Sequence, residues 1–138
     1  MLFFGEYQVN FSAQSRIIIP KKIREALNNK RVFTLTKGFD QCLSGFRNED
    51  WEKAVTELMT PQVLNMEKSN VKRHLFSSAV ILEIDAQGRV VIPKNLIEYA
   101  QLNGQNATLI GVGTYFEIWD TTKWKEYSKD LGKNVKNS

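Results

Sequence analysis

The chain repeats itself, and that limits its fold more than any other feature. Ala13-Gln14-Ser15-Arg16-Ile17-Ile18-Ile19-Pro20-Lys21 returns as Ala86-Gln87-Gly88-Arg89-Val90-Val91-Ile92-Pro93-Lys94, an offset of 73 residues. The same offset lays Glu25 on Glu98, Gly38 on Gly111, Phe46 on Trp119 and Trp51 on Trp124. Between Asn28 and Thr36 the match is poor, which requires small compensating shifts. A duplicated unit this short constrains how a core can form. Within 138 residues, two units of about fifty residues are each too small to bury much core alone. They must complete one through a partner, by oligomerisation or strand exchange.

Both copies read the same way along the chain. A strand (7–11; 79–84) leads into a turn, then a short, wholly apolar strand follows (17–19; 90–92). Lacking polar alternation, the apolar strand is expected to be covered on both faces by interlocking units. Pro20 and Pro93 open short helices, where a missing N–H costs nothing. These run to about Leu27 and Ala100 and present Ile23 with Leu27, and Leu96 with Ala100, on one face. Two strands follow (32–36 with 41–46; 107–111 with 115–119), joined by glycine-bearing hairpin segments. A helix closes each copy (48–59; 121–129), with Asn48 and Thr121 as expected N-caps. Trp51 and Trp124 should staple these helices to the sheet as core residues rather than stack on bases. Between the copies, 61–77 reads as a helix with Leu64, Val71 and Leu75 on one face. Its Lys68, Lys72, Arg73 and His74 read as a solvated basic face. The Gly-, Asn- and Lys-rich tail after Leu131 should fray.

Charge is modest in total and concentrated in place. Arg16, Lys21, Lys22, Arg24, Lys30 and Arg31 stand against a single acid, Glu25, between Gln14 and Arg31. That stretch carries a formal +5 of a net +4, leaving −1 for the rest of the chain. A basic patch on a nearly neutral protein points to a polyanion, and a solvated helix face is the plainer alternative. Apolar content of 42 % and charged content of 25 % are those of an ordinary globular chain. The lone Cys42 excludes an intrachain disulfide, fits a reducing compartment, and reads as a small buried hydrophobe. Met1-Leu2-Phe3-Phe4-Gly5-Glu6 lacks the basic region of a signal peptide, and no apolar run approaches the roughly 20 residues of a membrane span. The expectation is a cytoplasmic protein. With one histidine and no paired cysteines at ligand spacing, neither a metal site nor a cofactor is expected.

The repeated turn carries the chemistry. Arginine's planar fork matches phosphate oxygens or the O6/N7 edge of guanine, which makes Arg16 and Arg89 the leading DNA-binding candidates. Gln14 and Gln87 add amides able to pair with adenine or phosphate. Lys21, Lys22, Arg24 and Lys94 stand at or near helix starts and complete the candidate interface. Other positions in the turn read as structural. Asp85 can accept backbone hydrogen bonds and Gly88 can take positive φ, with Ser12 and Ser15 in their places in the first copy. Pro20 and Pro93 likewise serve the fold.

The pattern Asp-x-x-Gly-Arg followed by three apolar residues and proline, met in full at Asp85–Pro93 and in part in the first copy, resembles the MraZ family. Lys72-Arg73-His74-Leu75-Phe76, Gly111-Val112-Gly113 and Phe116-Glu117-Ile118-Trp119-Asp120 are similar to the flanks of that family. The resemblance covers about Met1 to Asp130. It implies an α+β, mainly β fold of two tandem AbrB-like (SpoVT-AbrB) swapped-hairpin units, double-psi-barrel-like, with flanking helices and assembly into a ring. The implied division is 5–47 for the first unit with helix 48–60, 61–75 for a linker helix, 76–119 for the second unit with helix 121–130, and 131–138 for the tail. It further implies a nucleoid-associated regulator binding double-stranded DNA at direct repeats upstream of its own operon, in the division and cell-wall cluster. Arg16 and Arg89 would then enter the groove, with Lys21 and Lys94 on phosphates. The first copy departs from the pattern: Ser12 replaces the acid and Ser15 the glycine, while Lys22 and Arg24 stand where the second copy has Asn95 and Ile97. An enzyme is disfavoured, since no nucleophile–base set and no phosphate loop is present, and no small-molecule substrate is expected. An AbrB-like antitoxin or protein-interaction module is the remaining alternative.

Overall fold

The computed structural model describes residues 1–13, 15–58 and 66–136. The first repeat forms β1 (Glu6–Ala13), β2 (Arg16–Ile18), α1 (Lys21–Ala26), β3 (Val32–Lys37), β4 (Leu43–Phe46) and α2 (Asn48–Leu58). After the connecting helix α3 (Met66–Ser78), the second repeat runs β5 (Val80–Glu83), β6 (Arg89–Val91), α4 (Lys94–Tyr99), β7 (Asn106–Gly111), β8 (Tyr115–Asp120) and α5 (Thr121–Lys136). The succession of strands and helices is therefore the same twice, as the repeat requires.

The strands form one antiparallel sheet in the order β5-β3-β4-β8-β7-β1-β2-β6. Its two ends are joined by the β5–β6 turn, where Asp85 N–H donates to the Arg89 carbonyl at 2.8 Å, so the sheet is nearly closed. Read as a ring, this order is unchanged when the repeats are exchanged. Each repeat lends its first strand to the other: β1 pairs with β7, and β5 pairs with β3. The fold is mixed α+β, mainly strands, and matches tandem AbrB-like swapped-hairpin units. Strand exchange explains how two undersized units share one core.

Cross-repeat hydrogen bonds come in equivalent pairs. Ile19 N–H donates to the Gly88 carbonyl and Ile92 N–H to that of Ser15, both at 2.8 Å. Ile84 N–H donates to Arg31 at 2.6 Å and Phe11 N–H to Gln105 at 2.8 Å. The last two bonds make Gln105 the counterpart of Arg31, one residue beyond the 73-residue offset. The ladders agree: Leu35 faces Val80 as Leu109 faces Tyr7. The second repeat thus gains one residue before β7 and gives it back after. Gly111 is the counterpart of Lys37, not of Gly38.

Ile17, Ile19, Val90 and Ile92 point into the core with Phe33, Leu35, Leu109 and Phe116. Ile23, Leu27, Leu96 and Ala100 are buried there too, which is why each short helix holds its place. The expectation that the apolar strands are covered on both faces fails. Ile18 is 47 % exposed and Val91 53 %, because the outer face of the sheet is open where β2 pairs with β6. A run of three apolar residues has no alternation from which to read that.

The closing helices are tied to the sheet by side chains expected to cap them. Asn48 Oδ1 accepts from Thr34 Oγ1 at 2.7 Å, and Thr121 shares a hydrogen bond with Thr108 at 3.0 Å. Asp120, not Thr121, caps α5, its Oδ2 accepting from Lys123 N–H at 3.1 Å. Phe46 against Trp51 and Trp119 against Trp124 pack alike, at 5.4 and 5.3 Å between ring centroids. Both helix tryptophans are half-buried rather than core. Helix α5 also runs on through Lys136 where fraying was expected, interrupted in helix propensity by Gly132 and supported near its C-terminus by Lys133. Residues 61–65, with Leu64, and 137–138 lie outside the described residues.

His74 does not belong to a solvated face. It is half-buried, its Nε2 lies 2.7 Å from the Gly38 carbonyl, and its ring stacks on Phe39. Those contacts, with Thr36 Oγ1 donating to the Leu75 carbonyl at 2.6 Å, dock α3 on β3. Cys42 is fully buried, and burial together with Glu117 pushes its thiol far above the ordinary range. No described helix is long and apolar enough to cross a membrane.

Candidate nucleic-acid interface

The second turn is built around one carboxylate. Asp85 Oδ1 accepts the backbone N–H groups of Gln87 at 2.9 Å and Arg89 at 2.8 Å. Its Oδ2 accepts Arg89 Nε–H at 2.9 Å, and Arg89 Nη2–H donates to Gln87 Oε1 at 2.5 Å. The Arg89 backbone N–H, followed by that residue's side chain, holds the Asp85 carboxyl below the ordinary carboxylate range. Gly88 supplies φ +82° at the bend. The guanidinium is therefore aimed by its own turn, and among the described residues its Nη1 has no hydrogen-bond partner.

The first turn lacks that cage. Ser15 takes φ +64° without being glycine, at about 1–2 kcal/mol in the left-handed region. Ser12 is exposed and, among the described residues, makes no side-chain hydrogen bond in Asp85's manner. Arg16 likewise has no ion pair or side-chain hydrogen bond among the described residues. Gln14 lies outside them.

Register then brings the two arginines together. Arg16 faces Val91, Ile17 faces Val90, and Ile18 faces Arg89. Since Ile17 and Val90 are buried, alternation turns Arg16, Ile18, Arg89 and Val91 to the outside of the β2–β6 pair. The two arginines sit at its diagonal corners, with Cα atoms about 8 Å apart from standard strand spacing. Each belongs to its own turn in the sequence, and pairing across the repeats makes them one patch. Lys21, Lys22 and Lys94 are exposed at the helix starts that follow, and Lys94 Nζ stands 4.0 Å from Glu98. Pro20 and Pro93 adopt φ −56° there, and their carbonyls accept the first helical N–H groups, those of Arg24 and Ile97. Gln87 is exposed beside Arg89. Arg24 departs from the group, because its guanidinium folds back over Gly88 of the other repeat.

Comparison with known proteins agrees with the fold. A family profile described as "MraZ protein, putative antitoxin-like" matches residues 2–73 and 75–137. The chain belongs to the MraZ family. It is 42 % identical over 129 residues to a protein of Acetivibrio thermocellus named transcriptional regulator MraZ, covering 94 % of this chain and 88 % of the relative. Relatives of the same name from Roseiflexus sp. and Clostridium beijerinckii are 36 % and 40 % identical, covering 97 % and 93 % of this chain and 92 % and 88 % of their own.

Arg47 of this MraZ-family chain has no place in the sequence expectations, and Arg31 stands there only as part of the basic stretch. Arg47 is buried, with Nε on Asp50 at 2.5 Å, Nη1 on the Met1 and Ala26 carbonyls, and its guanidinium over Phe3. It is a structural clamp on the N-terminus. Arg31 is exposed beside Arg24, and only the chain reversal after α1 brings the two together.

Proposed function

We propose that the chain is a cytoplasmic, nucleoid-associated transcriptional regulator that reads double-stranded DNA with the outer face of the β2–β6 pair. The observation that carries this reading is the diagonal pair Arg16 and Arg89 on that face. Strands presented from a sheet can read the major groove, where arginine pairs with guanine O6 and N7 and apolar groups meet the thymine methyl. Ile18 and Val91, outward between the arginines, suit the second task. Lys21, Lys22 and Lys94 hold backbone phosphates, and Gln14 and Gln87 flank the bases.

The preferred targets are direct repeats upstream of the chain's own operon, in the division and cell-wall cluster. Subunits assemble into a ring that places successive strand pairs on successive boxes, so that linked weak contacts sum to useful affinity. Exposed Phe4 (72 %) and Ile81 (66 %) provide apolar surface for subunit contacts.

Anisotropy titration on the upstream region tests the reading. Arg89→Ala is expected to lose about 1–3 kcal/mol of preference for that duplex over a scrambled one, whereas Lys22→Ala weakens both alike. Unchanged affinity in an Arg16→Ala, Arg89→Ala double variant would refute the assignment to this face. Sedimentation of the free chain as a monomer at micromolar concentration would refute the ring.

A further inference from the structure

Arg24 sits at a position where the two repeats differ in charge. Its counterpart in the second repeat is Ile97, and its guanidinium covers Gly88 so closely that a β-carbon there would lie 2.9 Å from Nη1 and 3.0 Å from Cζ. Its Nε is buried and has no hydrogen-bond partner, the only such side-chain nitrogen or oxygen among the described residues. Buried donors are normally paired, and a cationic one left unpaired is costly. Beside it opens a polar pocket of about 130 Å³, lined by Arg24, Asn29, Lys30, Arg31 and Asp85 among others. Asn28 and Asn29, at φ +60° and +56°, reverse the chain after α1 and bring this wall back against Arg24.

The charges of the pocket do not cancel. Lys30 is bridged to Glu49 at 3.3 Å, and Asp85 is bridged to Arg89 at 2.9 Å. Arg24 and Arg31 remain, with no acidic partner among the described residues. Two guanidinium groups and an amide around a small polar pocket are the donor set for a tetrahedral oxyanion. In the second repeat the counterparts of Arg24 and Arg31 are Ile97 and Gln105, so the arrangement occurs once per chain.

We propose that this pocket is a phosphate site, with Arg24 and Arg31 as its charged ligands and Asn29 as a neutral one. The site rests on the DNA reading only for the source of the phosphate, a backbone phosphate of bound duplex or free phosphate. The test uses the full chain labelled with ¹⁵N-arginine and inorganic phosphate as probe. Saturable movement of the Arg24 Nε–Hε signal is expected, weakened at least tenfold in Arg31→Ala, whose side chain is exposed. If duplex DNA supplies the phosphate, Arg31→Ala also lowers the salt slope of duplex binding by about 0.9. An unchanged slope, with phosphate binding lost, assigns the site to free phosphate. A chain with Arg16→Ala and Arg89→Ala that still takes phosphate at Arg24 supports the site even where DNA binding has failed. No saturable movement of the Arg24 signal with phosphate or duplex would overturn the proposal.

Discussion

Replacing Gly88 by alanine separates two demands on one position. At φ +82° any β-carbon meets the left-handed penalty of about 1–2 kcal/mol, and here it would also stand 2.9 Å from Arg24 Nη1. The obstructing atoms end a flexible side chain, so Arg24 can swing away, but only by leaving its packing over the turn. Gly113 is the natural control. It has φ +89° with nothing within 4 Å of a β-carbon, so Gly113→Ala reports the backbone term alone. For 138 residues, an unfolding entropy of about 2.1 cal/mol/K per residue gives about 0.29 kcal/mol/K. Set against the 0.4–1 kcal/mol or so that alanine gains by restricting the unfolded chain, Gly113→Ala should therefore lower Tm by up to about 5 °C. Gly88→Ala should lower it further, and the excess should vanish when Arg24→Ile is made in both backgrounds. Calorimetry on the four chains of that cycle, with Gly113→Ala alongside, measures both terms. Equal shifts for Gly88→Ala and Gly113→Ala, with no coupling to Arg24, would show that the guanidinium does not rest on the turn.

Two other outcomes follow from the turns. Ser15→Gly removes the left-handed penalty at φ +64° but adds unfolded-state freedom worth about 0.4–1 kcal/mol, so a net gain of up to about 1 kcal/mol is expected in denaturant melts; a clear loss of stability would count against strain there. Asp85 has its folded pKa depressed, so its contribution is complete above the unfolded value of about 3.9 and is lost as pH falls through the folded one. The Tm gap between the native chain and Asp85→Asn should hold from pH 7 to about 5 and close below pH 4; a gap constant down to pH 2.5 would show that the charge plays no part.

Local chemistry was legible in the sequence, and contacts between distant residues were not. The second turn could be read because its parts are contiguous: Asp85, Gly88 and Arg89 satisfy one another within five positions. The strand–turn–strand–helix order could be read because it occurs twice. His74 was misread because its partner, the Gly38 carbonyl, lies 36 residues away on another element. The one-residue slip of β7 against β3 was hidden because the following turn restores the offset. Arg16 and Arg89 were legible singly, but their shared face depends on a ladder between the repeats.

Two features that lie apart in the sequence, the imperfect first turn and the more basic first helix, belong together in the structure. Helix α1 reaches the second turn with Arg24, while Ile97 of α4 lines a common cavity with Ser15 of the first. A guanidinium laid flat on a turn requires a residue without a β-carbon beneath it, and Gly88 meets that need. The hydrocarbon side chain of Ile97 makes no such demand, and Ser15 is accommodated despite its positive φ. Each turn is thus matched to the helix that the other repeat brings to it, so exchanging Arg24 and Ile97 alone should impair both turns. Exchanging Ser15 and Gly88 with them should recover much of the loss.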